Sequence, residues 1–234
     1  MFWFTFLVSF SFTLAIVFIA FLYGGQNRRS FGIIVGGKVI KNKFYIGNKK
    51  GFECEFRFNK FLQHHIGRDD YLISNALFKD GKQVMCEIDS ILISRKGIFC
   101  IEIKSTRGLG RGSDQALHWR FYQTPNSRTK TNVENPVMQN KRHCDFLEKT
   151  LDFLYISENI VVFPDATDLT NIKSNKVYTA DSFIRYFKSL KRNQLNKKEI
   201  LQIVDKLSDN ISIFHNLPMN KALTVEQISS FHLS

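Results

Sequence analysis

Residues 86–104 read Cys-Glu-Ile-Asp-Ser-Ile-Leu-Ile-Ser-Arg-Lys-Gly-Ile-Phe-Cys-Ile-Glu-Ile-Lys. Apolar residues on both sides of the Arg-Lys-Gly segment predict a β-hairpin of two buried strands. Three charged residues interrupt the apolar pattern: Asp89, Glu102 and Lys104. Charges inside buried strands are costly unless they pair or bind a metal. Two carboxylates and a lysine on paired strands therefore indicate a metal-dependent phosphodiesterase site.

The turn decides whether these three side chains meet. A tight turn centred on Lys96 and Gly97 would pair Asp89 with Lys104. Directly opposed residues share a face, so Asp89, Glu102 and Lys104 would then lie on one side. The same register would pair Arg95 with Ile98, Ile93 with Cys100 and Ile91 with Glu102. A slip of one residue would send Asp89 to the opposite face. The alternative is a hairpin whose charges lie at a solvated edge, where an Asp–Lys pair contributes only ~0.2–1 kcal/mol.

The first 27 residues contain no charged side chain and no histidine. The stretch from Phe2 to Leu22 is almost entirely apolar, and as a helix at ~1.5 Å per residue it would span a bilayer core of ~30 Å. A cleaved signal peptide is the alternative, but its basic start and small-residue cleavage site are missing. Basic residues such as Arg28 and Arg29 follow the segment and none precedes it. The positive-inside rule therefore predicts a single-pass protein of the plasma or inner membrane, with its N-terminus outside and its C-terminal part in the cytoplasm.

The charge balance of the rest of the chain predicts a polyanionic partner. The net charge of +12, from 33 Lys and Arg against 21 Asp and Glu, falls wholly within residues 28–234. Nucleic acid and an anionic membrane surface both suit such a charge, and charge alone does not separate them. The four cysteines form no Cys-x-x-Cys pair, so neither a zinc site nor a disulfide framework is expected.

The remaining sequence predicts an α/β fold in which helices flank a mixed sheet. Residues 105–134 are polar and are expected to form a long loop, or an excursion with one strand. Its candidate nucleic-acid contacts are Arg107, Arg111, Trp119 and Arg120, which could follow a phosphate backbone and stack on bases. The expected elements are helices near 52–65, 135–154, 181–191 and 197–209 (capped by Asn135, Asp181 and Asn196 in the last three) and strands near 71–78, 84–94, 98–104 and 159–164.

Four segments in order resemble the NERD (nuclease-related domain) family of the PD-(D/E)xK superfamily, over roughly residues 48–165. They are Lys50-Gly51-Phe52-Glu53-Cys54-Glu55, the Glu87-Ile88-Asp89 strand, the Gly97-Ile98-Phe99-Cys100-Ile101-Glu102-Ile103-Lys104 strand and Asn135-Pro136-Val137-Met138-Gln139, followed by a strand at Val161-Val162-Phe163. Ile88 stands where the superfamily has its eponymous proline, which supplies no ligand.

The resemblance implies a restriction-endonuclease-like mixed β-sheet flanked by helices, here preceded by one transmembrane helix. It also implies that Asp89, Glu102 and Glu55 bind Mg²⁺ or Mn²⁺, with Glu53 in place of Glu55 if the alignment slips by two. Lys104 would be the catalytic lysine, and Gln139 would be a further polar residue of the site. The expected organisation is an anchor at 1–27, a linker at 28–47, a NERD nuclease-like domain at 48–180 and a C-terminal helical extension at 181–234.

The leading hypothesis is a membrane-anchored, metal-dependent nuclease that hydrolyses DNA at the cytoplasmic face. The alternative is a catalytically inactive, membrane-tethered module that binds nucleic acid or protein through the same fold. A third hypothesis is a basic surface that docks only on anionic lipid.

Overall fold

A computed structural model describes residues 28–35, 38–39, 43–46, 49–80, 83–191 and 194–211. The predicted anchor from Phe2 to Leu22 lies outside these residues. Within the described ranges, no helix is long and apolar enough to cross a membrane.

The described residues form four helices and twelve strands. The helices are α1 (Lys49–Gln63), α2 (Pro136–Thr150), α3 (Ala180–Ser189) and α4 (Lys197–Asn210). The strands are β1 (Arg28–Val35), β2 (Lys38–Val39), β3 (Lys43–Ile46), β4 (Tyr71–Asp80), β5 (Gln83–Ser94), β6 (Gly97–Ile103), β7 (Gly108–Ser113), β8 (His118–Tyr122), β9 (Lys130–Glu134), β10 (Ser157–Phe163), β11 (Thr167–Lys173) and β12 (Val177–Thr179).

The hairpin β5–β6 forms the centre of the main sheet, whose order is β12-β10-β6-β5-β4-β1-β2, with β3 paired to β1. The β10 strand runs parallel to β6 and β12, whereas β4, β5 and β6 are antiparallel neighbours. Helices α2 and α4 cover one face of this sheet, and α1 and α3 cover the other. The predicted α/β fold with a mixed sheet between helices is confirmed, and the double cover explains why both faces of the hairpin are apolar.

The hairpin turn differs from the expected one. Ser94 pairs with Gly97 and Ile93 with Ile98, so the turn consists of Arg95 and Lys96. The predicted pairing of Asp89 with Lys104 is therefore wrong. The ladder ends at the pair Ser90 and Ile101, which puts Asp89 level with Glu102 instead. The true register differs from the expected one by two residues, and an even shift preserves the face on which each side chain lies.

Residues 105–134 form three strands, which corrects the expectation of a long loop or a single strand. With β11 they build a second sheet of order β11-β7-β8-β9. One of its faces packs on β10 through a small core that includes Trp119, Phe121 and Phe163. The backbone of β7 approaches these rings closely, since a Cβ at Gly112 would lie 2.4 Å from the Trp119 indole. Propensity reasoning missed β7 because Gly-Leu-Gly-Arg-Gly-Ser has the composition of a loop.

The C-terminal helices α3 and α4 pack directly into the main fold. Phe183 and Phe187 of α3 lie in the core beside Phe99, and Ile203 and Leu207 of α4 lie in the core on the opposite face. The cap of α3 is Thr179 rather than Asp181, because the Thr179 hydroxyl accepts a hydrogen bond from the backbone N–H of Ser182. The caps expected at Asn135 and Asn196 are confirmed.

Candidate active site at the end of the hairpin

A cleft of about 530 Å³ opens between the first half of β5 and helix α2. Its lining includes the carboxylates of Asp89 and Glu102 and the side chains of Gln139 and His143. Asp89 comes from β5 and Glu102 from β6, while Gln139 and His143 lie one turn apart on α2. The structure thus brings together two of the predicted acids and the predicted glutamine at one end of the hairpin.

Lys104 joins the strand to the helix at this cleft. Its Nζ donates hydrogen bonds to Oε1 of Glu102 at 2.6 Å and to Oε1 of Gln139 at 2.7 Å. The side chain of Glu102 is 4% exposed and that of Lys104 is 18% exposed, so the ion pair is largely shielded from solvent. A charge-assisted bond in such a place is stronger than one at the surface. The ammonium of Lys104 is therefore fixed beside the carboxylates.

Helix α2 places Gln139 because its first turn is firmly capped. Oδ1 of Asn135 accepts hydrogen bonds from the N–H groups of Val137 at 2.9 Å and Met138 at 3.3 Å. Pro136 occupies the first helical position, where its fixed φ suits a helix start. The Asn-Pro-x-x-Gln segment thus sets the distance from the helix start to the glutamine amide that meets Lys104.

Asp89 is held at the cleft by the neighbouring strand. Its Oδ2 accepts a hydrogen bond from the backbone N–H of Ile103 at 2.8 Å. Burial raises the pKa of Asp89 well above its ordinary value, and the nearby charges of Glu102 and Glu55 raise this pKa further. A buried carboxyl group whose pKa is raised by neighbouring carboxylates is typical of sites that hold a cation or share a proton.

Glu55 is buried on α1, and its carboxylate is hydrogen-bonded to an asparagine on β4. Its Oε2 accepts a hydrogen bond of 2.7 Å from Nδ2 of Asn75 on β4. Asn75 lies in the left-handed region with φ of 50°, at the position level with Asp89 between the pairs Ser74–Ser90 and Ala76–Ile88. Asparagine tolerates this conformation better than most residues. Sequence reasoning missed Asn75 because it reads as one polar residue within an ordinary strand.

The three predicted acids do not form one ligand group. Over the described part of the chain, no three His, Cys, Asp or Glu side chains are arranged so that they could hold a metal ion together. The structure instead offers the pair Asp89 and Glu102, with Glu55 contributing its charge and its bond to Asn75. The role of Glu55 as a metal ligand stays a prediction, and Glu53 is exposed on the same helix.

His143 is a further residue of the cleft that sequence reasoning missed. Its Nδ1 lies 3.5 Å from Oε2 of Glu102, and neither atom has a hydrogen-bond partner among the described residues. Burial lowers the pKa of His143, and the negative charge of Glu102 opposes that effect. The spacing of four residues after Gln139 was the available signal, because residues at i and i+4 share one helix face.

A divalent cation fits the donor set at this cleft. Oε2 of Glu102 is a buried carboxylate oxygen without a hydrogen-bond donor, and Asp89 lines the same cleft. Mg²⁺ is usually held by one or two carboxylates together with water and substrate phosphate oxygens. Two acids therefore suffice, and a bound cation would relieve the repulsion that raises the pKa of Asp89.

The candidate nucleic-acid contacts fall in three different places. Arg107 lines a cavity of about 700 Å³ on the α1 side, which contains neither Asp89 nor Lys104. Arg111 and Arg120 are exposed on the second sheet. Trp119 is fully buried, and its Nε1 donates to the carbonyl of Ser113 at 2.9 Å. The expectation that Trp119 stacks on bases is therefore wrong, since the ring belongs to the core.

The comparison with protein families identifies the segment that holds this cleft. Residues 50–164 match the family model of the nuclease-related domain, NERD. A protein of Bacillus anthracis, described only as uncharacterized, is 22% identical over 150 residues, which is 64% of this chain and 68% of that relative. No solved structure matches the chain. The predicted resemblance over roughly 48–165 is thus confirmed.

The segment that matches the NERD model, residues 50–164, is called the NERD region below, and it contains the acids, Lys104, Gln139 and His143 described above. It begins within α1 before Glu55 and ends just after β10. Asp89, Glu102, Lys104 and Gln139 stand at its centre, where the cleft opens. The match supports a nuclease-related function for this region.

Proposed function

We propose that the NERD region is a metal-dependent nuclease that hydrolyses phosphodiester bonds of DNA. The observation that carries the proposal is the contact of Lys104 with both Glu102 and Gln139, at 2.6 and 2.7 Å, beside the carboxylate of Asp89. A lysine held against an acid and an amide at the mouth of a cleft suits a reaction in which negative charge grows on a phosphate.

Asp89 and Glu102 would hold Mg²⁺ or Mn²⁺ through their carboxylate oxygens. Bound there, the metal would supply Lewis acidity toward the phosphate and would make a coordinated water more acidic. The raised pKa of Asp89 means that its burial and the neighbouring carboxylates disfavour its ionised form. Proton release from Asp89 would therefore accompany metal binding.

Lys104 contributes a donor aimed at the reacting phosphate or water. An ammonium has three N–H donors, and two are engaged by Glu102 and Gln139. The third can hydrogen-bond to a phosphate oxygen or orient the attacking water. Gln139 fixes the ammonium from the helix side, so its role is to position Lys104 rather than to react.

Two specific observations favour the alternative, a catalytically inactive module on the same fold. Glu55 is bonded to Asn75, and Glu102 is already neutralised by Lys104. A site of this kind could bind nucleic acid without cutting it. Binding that persists without any metal-dependent cleavage would select this alternative.

We further propose that residues Phe2 to Leu22 anchor the chain in the plasma or inner membrane, with the NERD region at the cytoplasmic face. The support is the uncharged, apolar character of residues 1–27 and the basic residues that follow them. Extraction of membranes with alkaline carbonate tests this placement. The chain should stay in the membrane pellet, and its release into the supernatant would contradict the anchor.

The nuclease proposal is tested with the purified full chain and a labelled DNA duplex, in EDTA, Mg²⁺ or Mn²⁺. Cleavage should require a divalent cation, and Asp89→Asn should reduce the rate by ~100-fold or more, as expected when electrostatic stabilisation of several kcal/mol is lost. The control is Asp205→Asn, because Asp205 is exposed on α4 and should leave cleavage unchanged. Equal cleavage by wild type and Asp89→Asn would overturn the proposal.

A further inference from the structure

The outer face of the second sheet carries a cross-strand pair of like charges. Arg111 on β7 is directly opposite Arg120 on β8, and both side chains are exposed. Like charges at opposed positions destabilise a sheet. In the described part of the chain neither guanidinium has an acidic partner, and the next residue across, Asn132 on β9, is uncharged. The sheet therefore keeps a repulsive pair that its own fold does not neutralise.

The rest of this face is also basic. Strand alternation places Lys130 of β9 and Lys173 of β11 on the same side as the two arginines, and both lysines are exposed. The two acids on this side are engaged: Glu134 pairs with Arg142 at 2.8 Å, and Asp168 accepts a hydrogen bond from the N–H of Thr170. We call the set Arg111, Arg120, Lys130 and Lys173 the basic face.

The guanidinium of Arg111 is held in place by an aromatic ring. Its Cζ lies 5.2 Å from the ring centroid of Tyr122, in a cation–π contact. The opposite face of the sheet is fixed by Trp119 and Phe121, which pack on Phe163 of the main sheet. The basic face is thus a preorganised surface on a rigid support rather than a set of mobile loop charges.

The chain connects this sheet to the catalytic cleft at both ends. Strand β7 begins at Gly108, shortly after Lys104, and β9 ends at Glu134, directly before the cap of α2. Nδ2 of Asn135 donates to the carbonyls of Ser113 and Ala116, which ties the β7–β8 connection to the start of α2. The basic face is therefore attached to the two elements that carry Lys104 and Gln139.

We propose that the basic face binds the phosphate backbone of the DNA substrate and leads it to the cleft. This inference rests on the proposed nuclease function, because it names the surface that holds the same substrate. A polyanion supplies the counter-charge that the Arg111–Arg120 pair lacks. Binding through phosphates is independent of base sequence and strongly dependent on salt.

An anionic membrane is the competing partner for a basic surface. Peripheral membrane binding usually combines basic residues with apolar side chains that enter the interface. On this side of the sheet the apolar and aromatic side chains beside the basic face, Leu109 and Tyr122, are half-buried rather than exposed. Its attachment to the cleft further favours the substrate as the occupant.

The test measures binding of a fluorescent 20-base-pair duplex to the full chain in EDTA, where cleavage cannot interfere, over a range of salt concentrations. The variant is Arg111→Gln/Arg120→Gln. We expect binding to weaken ~10-fold or more, and the slope of log K against log salt to fall in magnitude by about 1.8, as two lost phosphate contacts require. The matched control is Arg185→Gln/Lys188→Gln, which removes two exposed charges from α3 and should leave both quantities unchanged.

A stability measurement shows that the binding loss is not caused by unfolding. The single variant Arg120→Gln removes the repulsion with Arg111, so its Tm should equal or exceed that of the wild type. A structural role for Arg120 would instead lower the Tm. A fall in Tm, or duplex affinity unchanged in the double variant, overturns the inference.

Two further measurements distinguish DNA from lipid as the partner of the basic face, and the binding proposal from the nuclease proposal. Phosphatidylserine vesicles should bind the wild type and the double variant equally, and loss of vesicle binding with unchanged DNA binding would assign the face to lipid and overturn the inference. If the wild type binds the duplex but does not cleave it in Mg²⁺ or Mn²⁺, while Arg111→Gln/Arg120→Gln loses binding, the nuclease proposal fails and the DNA-binding face stands.

Discussion

The two sheets place charged side chains in opposite ways. In the main sheet, β6 and the second half of β5 are buried on both faces, and the charges of Asp89, Glu102 and Lys104 lie together at one end. In the second sheet one face is a small aromatic core, and the other is an open basic surface. Buried charges are costly and become chemically useful when held close together, whereas solvated charges cost little and suit binding. Under the proposed function, the main sheet would perform the chemistry and the second sheet would hold the substrate.

The aromatic contact between the two sheets is where a single substitution should have the largest effect on stability. Trp119 is fully buried, stacks with Phe163 at a centroid distance of 6.4 Å, and donates to the carbonyl of Ser113. Trp119→Ala should lower the free energy of unfolding by ~3–5 kcal/mol, as for other large core deletions. Urea denaturation measures this loss. Leu117→Ala, at a side chain 68% exposed on the adjoining connection, should change stability by less than about 0.5 kcal/mol. Equal effects of the two variants would show that the aromatic core does not hold the sheet.

A substitution at Asn135 tests whether the contacts between the second sheet and α2 affect the position of Gln139 in the cleft. Its Oδ1 caps α2, and its Nδ2 donates to three carbonyls of the β7–β8 connection. Asn135→Ala should cost about 2 kcal/mol from the lost cap and hydrogen bonds. It should also reduce kcat about tenfold, because Gln139 no longer positions Lys104.

The matched control for that variant is Asn196→Ala. Asn196 caps α4 through the N–H of Glu199, and α4 packs on β4 and β5. Its loss should cost ~1 kcal/mol of stability with kcat unchanged. If Asn196→Ala lowers kcat as much as Asn135→Ala, the effect is general destabilisation and the coupling is refuted.

The smallest expected effect is a gain in stability at the cleft. The pKa of Asp89 is raised in the folded protein, so its ionised form costs folding free energy. This cost is absent below the unfolded pKa of ~3.9, grows as the pH rises toward the folded pKa, and is constant above it. Asp89→Asn should therefore be more stable than the wild type at pH 7 without metal, and equally stable near pH 3.

Divalent metal should make the wild type more stable than Asp89→Asn. A cation that binds only the folded wild type adds RT ln(1 + [L]/Kd) to its stability, ~2.7 kcal/mol at one hundred times Kd. Thermal melts of both proteins with and without 10 mM Mg²⁺, a concentration chosen to exceed Kd, measure the difference. A wild-type Tm that Mg²⁺ leaves unchanged would argue against Asp89 and Glu102 as metal ligands.

The sequence predicted the main sheet well because its signals are local and strong. Long apolar runs interrupted by Asp89 and Glu102 leave few alternatives for the central hairpin. The incorrect turn did not change which side chains were expected to meet at the site, because a register shift of two residues leaves each side chain on the same face of the sheet. The cap at Asn135 followed from the Asn-Pro sequence at the helix start, and the place of Gln139 at the site was implied by the family resemblance, whereas its contact with Lys104 was not predicted.

The second sheet escaped prediction because its stabilising contacts are tertiary. Gly110 and Gly112 weaken β7 as an isolated strand, but they let the rings of Phe121 and Trp119 approach the backbone. The bond between Glu55 and Asn75 was equally hidden, since it depends on a left-handed backbone within β4. Neither contact leaves a periodic signal along the chain.

The most direct test of the central claim is to compare cleavage and binding in Lys104→Ala. DNA cleavage in Mg²⁺ and duplex binding in EDTA would be measured on the full chain, with the exposed Lys149→Ala on α2 as control. The division of labour between the sheets predicts that Lys104→Ala loses cleavage by ~100-fold or more while its duplex affinity stays within about twofold of the wild type. Undiminished cleavage by Lys104→Ala would contradict it.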